Sequence, residues 1–167
     1  VYARYGRAGV YMIQEYARRL GVGTSEGEIQ ELAGTLKELP PQHPLRPLFE
    51  RSPDIRTVEG LADALLNPRD RAYTVPEFLS MVRGAGLRFG RWLRQAEYSP
   101  ECGAPLLTPH RDRLAALPPE ERWAAMELFR GTMLRHSAIL HRDDEAASSD
   151  VDLGGSAWRG WIPVRRP

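Results

Sequence analysis

Asn67-Pro68-Arg69-Asp70-Arg71-Ala72-Tyr73-Thr74-Val75-Pro76-Glu77-Phe78 is a charged loop running into a helix. The chain continues through Leu79 and Val82 to Ala85-Gly86-Leu87-Arg88-Phe89-Gly90-Arg91-Trp92. Thr74 with Glu77 three residues later predicts a capping box, in which hydroxyl and carboxylate satisfy otherwise unpaired helix-terminal amides. Pro76 is tolerated there because the first helical turn has no amide bond to lose. Phe78, Leu79 and Val82 share one helical face. Gly86 predicts a left-handed helix end. Leu87, Phe89 and Trp92 then form a short strand-like run, with the alternation broken after Phe89. Helix, glycine, strand is the unit of an α/β protein. In a parallel α/β sheet, helices begin near the carboxyl edge of the strands, where ligands bind. That places Arg69, Asp70, Arg71 and Tyr73 at a functional edge, or else in a salt-bridged loop tying two blocks together.

Upstream, residues 1–3 read as the tail of a strand and Arg4-Tyr5-Gly6-Arg7 as a polar turn. A helix is predicted over residues 8–20, with Met12, Ile13, Tyr16, Ala17 and Leu20 as its apolar face and Arg18-Arg19 complementing its dipole. Ser25 with Glu28 forms a second capping-box pattern, opening a helix with Ile29, Leu32, Ala33, Leu36 and Leu39 on one stripe. Pro40-Pro41 ends it. Residues 43–50 predict a short helix, and Thr57 caps another with Val58, Leu61, Ala62, Leu65 and Leu66 inward. The block is helical throughout.

Downstream, residues 97–109 read as irregular and Thr108-Pro109 as the start of a short helix through Leu114. Pro118-Pro119-Glu120-Glu121 starts a stronger helix. Its Trp123, Met126, Phe129 and Met133 stripe, widened by Ala124, Ala125 and Leu128, predicts burial on more than one side. Residues 136–142 alternate around Ala138 and Leu140 as a strand. Residues 143–156 read as a polar loop and 158–164 as an edge strand, where Pro163 is tolerated.

The 167 residues suffice for one domain with a real core. A net charge of +1 gives no case for a nucleic-acid partner. No apolar run approaches a membrane span. The single cysteine, Cys102, excludes an intrachain disulfide framework and fits a reducing, cytoplasmic compartment. Only Lys37 among 23 basic residues is lysine, an arginine bias that suits fork-like binding of anionic groups or follows from nucleotide composition. There is no Walker loop and no GxGxxG. His43, His110, His136 and His141 have no metal-ligand spacing. Gly6-Arg7-Ala8-Gly9 is not a phosphate cradle by spacing.

The sequence resembles the C-terminal part of class I S-adenosylmethionine-dependent methyltransferases. The resemblance is carried by Val1-Tyr2-Ala3-Arg4-Tyr5-Gly6-Arg7-Ala8-Gly9-Val10-Tyr11-Met12, by the segment Asn67 to Pro76, and by Glu127-Leu128-Phe129-Arg130-Gly131-Thr132-Met133. These look like a bacterial group in which the first string follows the fifth strand. The resemblance implies an α+β, predominantly helical fold: the C-terminal part of a Rossmann-like methyltransferase, with a small antiparallel strand pair and helical insertions. Residues 1–3 would end strand five, 87–94 would be strand six, and 136–142 would be the antiparallel strand seven. Residues 1–167 would be a single domain, with insertions at about 24–72 and 96–134 packing together as a lid.

The glycine-rich turn and the acidic residue that hold S-adenosylmethionine in this class lie outside the sequence. The resemblance therefore implies a substrate-binding region without a cofactor site of its own, inactive alone and partnered by an N-terminal cofactor-binding half. Tyr5, Arg7, Arg69, Asp70 and Tyr73 are the expected edge of the substrate pocket, facing a small-molecule or protein methyl acceptor. The chain begins without methionine and stops after an aromatic segment, so it reads as a piece of a longer protein. Exposed sheet edges then predict self-association. The competing reading is a free-standing helical module that regulates a partner.

Overall fold

The computed structural model describes residues 1–51 and 57–143. It is a mixed α+β structure, mostly helical, with a small antiparallel strand pair. The order is β1 (Tyr2–Ala3), α1 (Ala8–Leu20), α2 (Glu26–Lys37), α3 (Arg46–Arg51), α4 (Val58–Leu66), β2 (Ala72–Tyr73), α5 (Val75–Gly84), β3 (Leu87–Trp92), α6 (Arg111–Ala116), α7 (Pro119–Arg130) and β4 (Ala138–Arg142). Two 3₁₀ turns, Gln95–Tyr98 and Ala104–Leu107, interrupt the segment expected to be irregular. The edge strand expected at 158–164 lies outside the described residues.

The opening stretch folds as its residues dictate. The Thr74 hydroxyl accepts from the Glu77 amide, and the Glu77 carboxylate accepts from the Thr74 amide at 2.7 Å, completing the capping box. Gly86 takes the left-handed conformation after α5, with φ of 66°. β3 then pairs antiparallel with β4, from Leu87 opposite Arg142 to Trp92 opposite Ala138. The register shifts between Phe89 and Arg91, so Gly90 is the extra residue of a β-bulge. The bulge explains the broken alternation: Phe89 and Trp92 have opposite parity in sequence, and one extra residue returns both to the core side.

Among the described residues two hydrophobic cores form. Val10, Ile13 and Ala17 of α1 pack with Ile29, Leu32 and Leu36 of α2, Leu45, and Leu61 and Leu65 of α4. The second core gathers Ala3, Val75, Phe78, Leu79, Val82, Trp92, Tyr98 and Met133, with Trp123, Phe89 and Leu140 against it. Trp92 stacks on Tyr98 at 3.9 Å and meets Trp123 edge-on at 5.6 Å.

Three expectations are corrected. The two insertions do not pack together as one lid. The helices of 24–72 bury their apolar faces with α1, while α7 packs on α5 and the first 3₁₀ turn. On α1 the buried arc is Gly9, Val10, Ile13 and Ala17, whereas Met12, Tyr16 and Leu20 are exposed. The reason is close approach: a Cβ on Gly9 would stand 2.2 Å from the Leu45 amide nitrogen, so the glycine side of α1 must face the helical core. On α7 the burial is narrower than expected. Met126 is fully buried, but Leu128 and Phe129 are exposed, because α5, the first 3₁₀ turn and α6 leave that part of the helix uncovered among the described residues.

Two short pairings have no signal in the sequence. β1 pairs parallel with β2, Tyr2 opposite Ala72 and Ala3 opposite Tyr73, so the end of the charged loop is itself a strand. Residues 134–136 run antiparallel along the other side of β1: the Ala3 amide donates to the Leu134 carbonyl at 3.0 Å, and Tyr2 bridges Arg135.

Candidate functional site

The cleft between the two cores has the Arg7–Asp70 pair among its lining. α1 begins at Ala8, which sets Arg7 at its entrance, and the chain returns past Asp70 to form β2. The Arg7 guanidinium donates to the Asp70 carboxylate at 2.8 Å, and both side chains are largely buried. Gln14 donates to the same carboxylate at 3.0 Å and Tyr11 at 3.4 Å. Arg7 also lies over the Tyr2 ring at 3.6 Å and nearer the edge of reach of Tyr11 at 5.7 Å. Its Nε is buried without a hydrogen-bond partner. Burial raises the Tyr11 phenol above its ordinary value, with Arg7 opposing the shift.

Above this pair opens a cleft of about 1190 Å³. Arg7, Arg69, Asp70 and Tyr73 line it, together with Arg71, Arg135 and the α4 residues Glu59 and Asp63. Clefts between packed units are common ligand sites. Tyr5 is not brought into it. It borders a separate, shallower depression of about 670 Å³ with Tyr11, Met12 and Arg71, which Asp70 also lines. Four of the five residues singled out in the sequence thus share one cleft, and Tyr5 stands apart. Within the cleft, the Asp70 carboxylate is taken up by protein donors, while the exposed Arg69 and Arg71 join no ion pair among the described residues, although the Arg71 charge also acts on Glu77. Arg71 stands over the Tyr73 ring at 4.8 Å.

A second polar assembly lies outside the sequence-predicted residues. Glu127 and His136 are buried at 1% exposure each, inside the apolar core. Glu127 Oε2 accepts from the Val75 amide at 2.7 Å, at the start of α5, where a carboxylate favours the helix dipole. His136 Nε2 lies 3.2 Å from Glu127 Oε1 and 3.0 Å from the Tyr73 carbonyl oxygen. Both neighbours are acceptors, so the hydrogen belongs on Nε2. With the imidazole neutral, Nδ1 accepts from the Tyr98 hydroxyl at 2.8 Å. Burial pushes the Tyr98 phenol strongly upward, with the Glu97 and Glu127 charges adding to it, so the hydroxyl keeps its proton. A carboxylate, an imidazole and a phenol in a row have the makings of a proton relay, but all three are sealed from solvent. What they do is join α7, the β2–α5 junction, the first 3₁₀ turn and the approach to β4. Only the residue types could have signalled this: a glutamate facing the core side of α7 beside Met126, and a histidine heading a strand.

Among the described residues no group of three histidine, cysteine or acidic side chains could hold a metal, and no helix is long and apolar enough to cross a membrane. No family model matches the chain.

Proposed function

We propose that this chain is the C-terminal, substrate-binding region of an S-adenosylmethionine-dependent methyltransferase, and that the cleft over Arg7 and Asp70 is the methyl-acceptor side of its active site. The observation that carries the reading is the course of residues 134–142. They run antiparallel to β1 at one end and antiparallel to β3 along β4, while α5 leads through Gly86 into β3. An antiparallel final strand beside the strand that follows a capped helix is what the resemblance implies for strands six and seven. The cleft lies beside β1 and residues 134–135, with Val1, Tyr2, Leu134 and Arg135 in its lining, and on this reading it faces the methyl-transfer site.

In such an enzyme the rate comes mainly from holding the acceptor nucleophile in line with the sulfonium methyl group. The chain's part is to bind and orient the acceptor. Arg69 and Arg71 offer paired hydrogen bonds to an anionic group, and the faces of Tyr2 and Tyr73 offer apolar contact. The cofactor, held by the partner half, supplies the activated methyl group.

A second reading has its own support. The helical block carries a self-contained core, and Met12, Tyr16 and Leu20 form an exposed apolar stripe on α1, as in a module that binds a partner through a helix face. Radiolabelled S-adenosylmethionine, incubated with the parent protein and a metabolite extract, separates the two. Label appearing in an extract component supports the methyltransferase. Failure to label any component, with the parent protein folded and not binding the cofactor, favours the interaction module.

A further inference from the structure

The same cleft carries charges of both signs that do not neutralise one another. Glu59 and Asp63 lie four residues apart on α4, on one helical face. Arg69, Arg71 and Arg135 come from the loop before β2 and from the approach to β4. Among the described residues the arginine ion pairs engage Arg4, Arg7, Arg18, Arg19, Arg83 and Arg94, and none of the three cleft arginines. Asp63 accepts only a long bond from the Asn67 amide, 3.3 Å, and Glu59 joins no ion pair there. The central ion pair is different: the Arg7 and Asp70 charges already meet at 2.8 Å. Tyr2, Val10, Leu48, Ala64 and Tyr73 add apolar surface to the same lining.

We propose that the cleft takes a small amphoteric molecule: one amine and one acid group on an apolar body, of amino-acid or short-peptide size. An anion alone would satisfy the arginines but meet the α4 carboxylates. A cation alone would meet the arginines. A ligand with both groups satisfies each wall with charge-assisted hydrogen bonds, and its apolar body covers the tyrosine faces and the valine and leucine between them. The inference rests on reading the cleft as the acceptor site, and it narrows the acceptor class from anionic to amphoteric.

The test is calorimetric titration of the 167-residue chain with the tripeptide Ala-Phe-Ala in three forms: free, N-acetylated and C-amidated. The free form is expected to bind, and each capped form to bind about tenfold more weakly, as loss of one charged hydrogen-bonding group requires. A Glu59→Gln/Asp63→Asn variant is expected to erase the difference between free and acetylated peptide. An Arg69→Gln/Arg71→Gln variant is expected to erase the difference between free and amidated peptide. No binding of the free form, or equal binding of all three, overturns the proposal. The capped peptides are compared on the unaltered chain, so this outcome does not depend on how well the variants fold. Methyl transfer by the parent protein is read separately. Transfer without tripeptide binding removes the amphoteric assignment alone, while tripeptide binding without transfer removes the methyltransferase and leaves the cleft's chemistry standing.

Discussion

The Arg7 guanidinium and the Asp70 carboxylate, 63 residues apart in sequence, are held 2.8 Å apart with about a tenth or less of either side chain exposed. This pair fastens the entrance of α1 to the loop that becomes β2, and so fixes the cleft between the two cores. Removing one partner strands a mostly buried charge, which costs more than the pair contributes. Asp70→Asn is expected to lower stability by about 3 kcal/mol. The double change Arg7→Met/Asp70→Leu should cost less than the single one, since neither charge remains. Urea unfolding of the three proteins checks this; a double variant no more stable than Asp70→Asn would contradict it.

Two glycines of the Gly6-Arg7-Ala8-Gly9 string serve close packing rather than ligand binding. A Cβ at Gly6 would lie 2.1 Å from the Met133 carbonyl oxygen, and one at Gly9 2.2 Å from the Leu45 nitrogen. Both obstacles are backbone. Gly6→Ala and Gly9→Ala are each expected to destabilise by about 3 kcal/mol. Gly34, inside α2 with open space where its Cβ would go, should behave oppositely: Gly34→Ala is expected to stabilise by about 0.5–1 kcal/mol. Thermal melts of the three variants test the contrast in sign.

Glu127 answers two donors at once, the Val75 amide and His136 Nε2. Glutamine keeps the shape but has one acceptor oxygen, so its amide group must face one of the two donors. Glu127→Gln is therefore expected to cost about 2 kcal/mol. It should also loosen the β2–α5 junction, seen as faster amide exchange at Val75. Unchanged exchange there would mean that the buried carboxylate is not holding the junction.

The Glu77 carboxyl is held below the ordinary glutamate range, first by the Thr74 amide, then by the Thr74 hydroxyl and the Arg4 and Arg71 charges, against a desolvation cost. A group whose folded pKa is depressed contributes stability above its unfolded value and loses it as pH falls through the folded one. Acidification below the ordinary carboxylate range should therefore weaken α5, and Glu77→Gln should flatten that part of the stability–pH profile. Urea midpoints measured from neutral to acid pH report both slopes; parallel profiles would contradict the assignment.

The sequence is most legible where structure is local. The Thr74–Glu77 box, the Gly86 helix end and the Thr57 cap depend on residues within one turn, and all three form. Even the Gly90 bulge is visible as a break in alternation. The pairing of 87–92 with 138–142 follows from the resemblance rather than from the residues. The buried arc of α1 is not legible because two apolar arcs overlap on that helix. What chooses between them is the Leu45 backbone lying on Gly9, a contact with a residue 36 positions away. Glu127 and His136 are hidden for a related reason: a lone glutamate in a helix reads as solvated unless its donors, the Val75 amide and His136 Nε2, are already in place. In the cleft, the arginines of 69–71 are recognisable by type, but Glu59, Asp63 and Arg135 reach it only through the packing of α4 and residues 134–136.

The proposed division of labour has this chain bind the acceptor while another half of the protein binds the cofactor. Titration of S-adenosylmethionine into the 167-residue chain and, separately, into the parent protein tests it most directly. Tight binding is expected in the parent protein and none of comparable strength in the chain, whose cleft is matched only to the amino-acid end of the molecule. Tight binding by the chain alone, or none by either, would contradict that division.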